Sequence, residues 1–243
     1  MRATYHEQFD DFSHDLIIMG DVVRDIMTAA CDALLRGSLD SAENALTIAG
    51  DLPAIRARST QRAVDLLALG SPMGRDLRQV VSSIYIVEHL DRMAALATHI
   101  AESARRRYPE LVIPAALSGY FEELTRLTLD MVDKAHDLLV APDADAALAL
   151  AREDDAVDDL DRHLLTMLTQ HDWPHTSREA VDTALLVRFY ERFADQCVSV
   201  GTRIVYLTTG LPPEDYLAKK EQDAEDADVQ ARFEALERQF RRN

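Results

Sequence analysis

Apolar residues recur at helical spacing along most of this chain, in two long stretches laid out on one plan. Phe9, Phe12, Leu16, Met19, Val23, Ile26, Met27, Ala30 and Leu34 follow one another mostly at intervals of three and four. That spacing closes one face of a helix, which Gly37 ends. Strict apolar-polar alternation of the kind a sheet needs is rare. Glycine and proline number only eight each, and the abundant Ala, Leu, Glu and Arg are strong helix formers. The chain reads as all-α.

Turn signals divide the helices. Ser38 and Asp40 can cap the helix that carries Ala42, Ala45, Leu46, Ile48 and Ala49, and helical composition continues to about Leu69. Gly70-Ser71-Pro72 ends that helix and opens the next, with Ser71 as N-cap and Pro72 at its first position. This third helix runs to about Arg106, before Tyr108-Pro109 and Pro114. The plan then repeats. One helix spans about Pro114 to Val140, and a second runs from Ala141-Pro142-Asp143 to about His171. After the turn Asp172-Trp173-Pro174, a third covers about Ser177 to Thr209 and stops at Gly210.

The halves also match in sequence. Asp91-Arg92-Met93-Ala94-Ala95 precedes Glu191-Arg192-Phe193-Ala194-Asp195 by 100 positions, and the breaks at Gly37 and Pro142 are 105 apart. A fixed offset of this kind marks an internal duplication. The expected fold is therefore two tandem antiparallel three-helix bundles, six long helices in all, with a short C-terminal helical tail. The expected units are 1–108, 109–210 and 211–243. In the last, Glu221 to Asp228 reads as an acidic linker or frayed helix. Val229, Phe233, Leu236 and Phe240 then share one helix face, for packing on the protein itself, for a homodimer or for a partner.

Charge narrows the function. There are 26 basic and 43 acidic residues, a formal net charge of −17. Such a chain lacks the basic stripe a nucleic-acid binder uses to displace counterions, and an anionic membrane surface repels it. No stretch approaches the length of a membrane span, and the N-terminus lacks the apolar core of a signal peptide, so direct membrane insertion is not expected. Cys31 and Cys197 lie far apart within helical patterns, which suits a reduced, cytoplasmic protein.

The best candidate for a site is acidic. Glu191 and Asp195, four apart, share a helix face. The run Glu153 to Asp159 lies on the preceding helix, which the turn at 172–174 makes an antiparallel neighbour. Asp155 and Asp158, three apart, can then face Glu191 and Asp195. Carboxylates so close repel one another unless a cation intervenes, and an oxygen-only set suits Mg, Mn or Fe better than a closed zinc site. A solvated acidic face, or pairing of one carboxylate with Arg192, explains the same spacing without metal. The histidines offer no enzyme. His6, His14, His89, His99, His136 and His163 are scattered, and none forms an ExxH pair. His171 and His175 are separated by the helix-breaking Trp173-Pro174. No phosphate loop or nucleophile elbow is present, so catalysis is not expected.

The stretch Ser71-Pro72-Met73-Gly74-Arg75-Asp76-Leu77-Arg78 resembles the PhoU-family signature, in which a proline and then Asp-Leu-Arg open the third helix. Asp91 to Ala95 and Glu191 to Asp195 are similar to the two copies of that family's acid-x-x-x-Asp motif, and Tyr206-Leu207-Thr208-Thr209-Gly210 fits its ending. The resemblance covers about residues 5 to 210. It implies a regulator that adapts a phosphate ABC transporter to a sensor histidine kinase and keeps phosphate-starvation signalling off. It also implies a metal ion, divalent or ferric (Fe, Mn, Mg or Zn), at Asp155, Asp158, Glu191 and Asp195. In the first half Ala95 replaces the second acid and Pro53 stands at an expected acidic position, so any metal is expected in the second half only. A carboxylate-bundle metal-storage protein and a metal-free helical scaffold are the alternatives.

Overall fold

The computed structural model describes residues 2–170 and 173–240. Among them the chain forms eight α-helices: α1 (Arg2–Arg36), α2 (Leu39–Ala49), α3 (Leu52–Gly70), α4 (Arg75–Arg107), α5 (Ser118–Val140), α6 (Ala144–Leu168), α7 (Ser177–Thr209) and α8 (Pro213–Phe240). No strand occurs among the described residues. A 3-10 turn at Ala115–Leu117 leads into α5. The all-α expectation stands, with the second long segment of the first half broken in two.

The break between α2 and α3 falls at Gly50-Asp51, where the Gly50 amide donates to the Thr47 carbonyl and the Asp51 amide to the Ile48 carbonyl. Pro53 sits in the first turn of α3, where its missing amide hydrogen leaves no bond unmade. Ser38 caps α2 as expected, accepting from the Ser41 amide. Ser71 does not cap α4. It adopts a left-handed conformation (φ 42°) that terminates α3, and α4 begins only at Arg75, after Gly74. The Thr176 hydroxyl and the Glu179 carboxylate make a reciprocal capping box at the start of α7. Gly210, at φ 77°, closes its end.

The α1 stripe read from the sequence is the stripe that is buried, Phe12 through Leu34. It packs against α2, α3, α4 and α5, while α7 packs against α4, α5 and α6. The antiparallel pair α4 and α7 forms the centre, as shown by the cross-helix pairs Tyr85 with Arg203 and His99 with Phe189. Residues from Leu16 to Val205 line one continuous core, so the two halves bury their apolar faces together. Each fully buried Met, Ile or Leu there contributes about 1.5–3 kcal/mol. Two close contacts tighten the structure. Thr125 and Tyr190 hydroxyls are 2.9 Å apart, and a Cβ on Gly201 would fall 2.9 Å from the Ala147 carbonyl oxygen, where α7 runs against α6.

The tail departs from expectation. Instead of a linker and a short helix, α8 is one helix of 28 residues that includes the acidic segment. It is tied to the body near its start, where the Tyr216 hydroxyl and the Lys220 ammonium both donate to Asp145 Oδ1 at 3.2 and 2.6 Å. Residues 221–234 are all exposed, Val229 and Phe233 among them. Leu236 and Phe240, assigned from the sequence to the same face, have side chains outside the described set, as does His171.

Candidate metal centre

The acids of α6 and α7 meet where the two helices run side by side. On α6 the apolar residues Leu150, Val157 and Leu164 are buried at intervals of seven. Asp154 and Asp161 lie on that same stripe, four residues after Leu150 and Val157, so the face that packs the core also carries two carboxylates against α7. Asp161 is only 9% exposed, and Asp154 and Asp158 are half-buried. On α7, Glu191 is half-buried and Asp195 stands exposed at the rim. Asp155 is exposed, about 100° round the helix from Asp154.

Of the four residues named from sequence, the structure thus sets Asp158, Glu191 and Asp195 together and Asp155 at the periphery. It adds Asp154 and Asp161. The interval-of-seven apolar pattern on α6, with acids interleaved at its fourth place, is the signal that reaches both.

The electrostatics follow from this crowding. Burial pushes the Asp154 carboxyl up to about 7, and the charges of Asp195, Asp158, Glu191 and, last, Asp155 add to the effect. Glu191 is raised by burial and by Asp195, against the opposing charge of Arg188. Asp195 is raised by desolvation and by Asp158, with Arg188 and Arg192 opposing. Burial also raises Asp161, again against Arg188. Arg188 is the local counter-ion, its Nη1 at 2.7 Å from Glu191 Oε1. One guanidinium does not satisfy the group. Asp154 Oδ1, Asp161 Oδ1 and Glu191 Oε2 are buried without a hydrogen-bond partner, and an unpaired buried acceptor costs about 1–3 kcal/mol.

This donor set fits a hard or intermediate cation, which would accept the orphaned oxygens and offset the mutual repulsion. The side chains as they stand are not drawn around one point. Among the described residues no group of three or more His, Cys, Asp or Glu is already placed to hold an ion.

The first half shows the matching face in another state. The Arg56 guanidinium donates to Glu88 Oε1 at 2.7 Å and lies 3.2 Å from Asp91 Oδ2. An internal cation therefore stands beside the motif's first acid, while the position of its second acid is the exposed Ala95.

The PhoU domain matches this chain twice, at residues 16–104 and 121–204. The chain belongs to the PhoU family. The phosphate-specific transport system accessory protein PhoU homolog 2 of Mycobacterium tuberculosis is 41% identical over 213 residues, covering 88% of this chain and all of that relative. PhoU homolog 1 of Mycobacterium leprae is 41% identical over 215 residues, 88% of this chain and 97% of its own. The crystal structure of PhoU from Pseudomonas aeruginosa superposes with a TM-score of 0.76 over 85% of this chain and 100% of that one, at 23% identity, and shows the shared fold. The two PhoU domains fall on the two halves of the duplication. Each includes one copy of the acid motif, and both end short of α8, which lies outside the PhoU domains altogether.

Proposed function

We propose that this PhoU-family protein is a non-catalytic, cytoplasmic negative regulator of phosphate uptake and phosphate-starvation signalling, an adaptor between a phosphate ABC transporter and a sensor histidine kinase. What carries the reading is the match over 88% of this chain and the whole of a Mycobacterium tuberculosis relative named as an accessory protein of phosphate-specific transport. No helix among the described residues is long and apolar enough to cross a membrane. An adaptor of this build reaches a transporter by docking a helical surface onto one of its subunits, with net charge −17 favouring a basic patch on the partner. The same reading has the protein acting as a homodimer.

A divalent or ferric ion (Fe, Mn, Mg or Zn) would be held by Asp154, Asp158, Asp161, Glu191 and Asp195, in the second half only. It would supply the positive charge that lets these carboxylates ionise together. Their orphaned buried oxygens support this over a simple solvated face. The role is structural or recognitional: the bound ion fixes the α6–α7 surface offered to a partner.

Deleting the gene and recording phosphate-responsive transcription in high phosphate tests the regulator. Constitutive starvation expression is expected, and unchanged expression sinks the reading. Metal content of protein purified without chelator, compared with Asp158→Asn/Asp195→Asn, tests the ion. Equal content in both rejects the site.

A further inference from the structure

α8 lies outside both PhoU domains and is anchored to the body near its root, where Tyr216 and Lys220 donate to Asp145. From 221 to 234 every residue is exposed, about 21 Å of helix with no buried face. Helices in proteins owe most of their stability to the packing of an apolar face. α8 has such a face, and the body leaves it uncovered. Val229 is 50% exposed and Phe233 62%, and Leu236 and Phe240 continue the spacing in the sequence.

The pattern of this helix fits a second copy of itself. Its stripe steps by four, three and four, so it reads alike in both directions. Laid antiparallel about its midpoint, Val229 comes level with the partner's Phe240, and Phe233 with the partner's Leu236. Every layer then pairs one phenylalanine with one aliphatic side chain, whereas a parallel register sets each side chain against its own copy. Charge selects the same direction. Glu221, Asp223, Glu225, Asp226 and Asp228 precede the stripe with no basic residue among them, and Arg238, Arg241 and Arg242 stand at its far end beside one acid, Glu237. Asp228 is taken by Arg232 of its own helix at 2.6 Å, which leaves the other acids for the arginines of the second chain. An antiparallel pair lays the acidic run of each chain along the arginine end of the other, and a parallel pair sets acid on acid.

We propose that α8 is a dimerisation arm, whose stripe from Val229 to Phe240 pairs antiparallel with the same stripe of a second copy. The inference rests on the homodimer reading and supplies its interface. The contact is isologous, one patch serving both chains. It also suits the charge of the molecule, because chains of net charge −17 repel one another. The midpoint of the stripe lies about 20 Å along the helix from Lys220. The anchored ends of two paired arms are then about 40 Å apart, several Debye lengths at physiological salt.

Sedimentation of the full-length protein over a dilution series tests the arm. The parent is expected to sediment with the mass of two chains, and Phe233→Glu to raise the dimer Kd at least about tenfold. Val181→Glu, which alters a 57% exposed apolar residue on α7, is expected to leave the dimer intact. Because Phe233 is exposed, its variant keeps the folded body. Direction is read by oxidising a mixture of Val229→Cys and Phe240→Cys chains, whose native cysteines Cys31 and Cys197 are buried. Cross-linking between the two variants is expected, and Val229→Cys chains that link to one another overturn the antiparallel register. A parental dimer in Phe233→Glu overturns the arm and leaves the homodimer reading standing. A parent that sediments as one chain at every concentration overturns both.

Discussion

The Cys31 thiol on α1 and the Tyr190 hydroxyl on α7 stand 3.3 Å apart in the buried centre of the molecule. One belongs to the first half of the duplication and the other to the second. Thr125 on α5 completes the group at 2.9 Å from the same hydroxyl. Burial pushes the Cys31 thiol up to about 11 and the Tyr190 phenol well above its usual value. Both therefore remain neutral hydrogen-bonding groups. Tyr190→Phe keeps the ring and removes the hydroxyl, leaving Thr125 to find another acceptor. A loss of about 0.5–1.5 kcal/mol is expected in urea unfolding, against about 3–5 kcal/mol for Tyr190→Ala. A phenylalanine variant as stable as the parent would show that the shared bond adds nothing across the halves.

The acid cluster makes stability depend on pH. Asp154 has a folded pKa near 7, against an ordinary value of 3.8. Above the lower value the folded state holds a proton that the unfolded state has released, so stability falls as pH rises toward and through 7. In chelator, the parent is expected to melt lower at pH 8 than at pH 6. Asp154→Asn removes the ionising group, flattens that slope and raises the pH 8 melting temperature by about 2–4 °C, the equivalent of ~1 kcal/mol. A parent curve that climbs from pH 6 to 8 contradicts the assignment.

Gly201 sits inside α7, where alanine normally gains about 1 kcal/mol of helix propensity. Here a Cβ meets the Ala147 carbonyl oxygen at 2.9 Å and Leu150 Cδ1 at 3.2 Å. The carbonyl belongs to the α6 backbone and does not yield, so overpacking at about 1–3 kcal/mol outweighs propensity. Gly201→Ala is expected to lower the urea midpoint. A raised midpoint would mean that α6 shifts at little cost.

Residues 221–234 of α8 contribute little to the body. Its anchors are Tyr216 and Lys220 on Asp145, and residues 221–234 are exposed. A chain ending after Lys220 is expected to melt within about 2 °C of the full chain, as for other surface changes. A drop beyond about 5 °C would show that the distal helix packs on the protein after all.

Much of this arrangement was legible in the amino-acid order, because helices are local. The α1 stripe from Phe12 to Leu34, the Ser38 cap, the Gly210 stop and the span of α7 all depend on residues within a few positions of one another. Misreadings arose where two local rules competed. Pro72 suits a first helical turn, but Ser71 in a left-handed conformation ends α3, and Gly74 delays α4 to Arg75. On α6, Asp155 with Asp158 and Asp154 with Asp158 are both allowed neighbours on a helix surface.

What the sequence by itself determined, then, is the order and length of most helices, their duplication, and the presence of acids on α6 and α7. The tertiary structure decided which acids meet. Packing of Leu150, Val157 and Leu164 into the core sets the rotation of α6, and that rotation carries Asp154 and Asp161 inward and leaves Asp155 in solvent. It also decided how the halves differ, through Arg56 reaching Glu88 and Asp91 and through Arg203 meeting Tyr85. These partners are separated by 32 and more positions. Helical periodicity places a residue on its own helix face, and only the packing of that helix against another determines what the face meets.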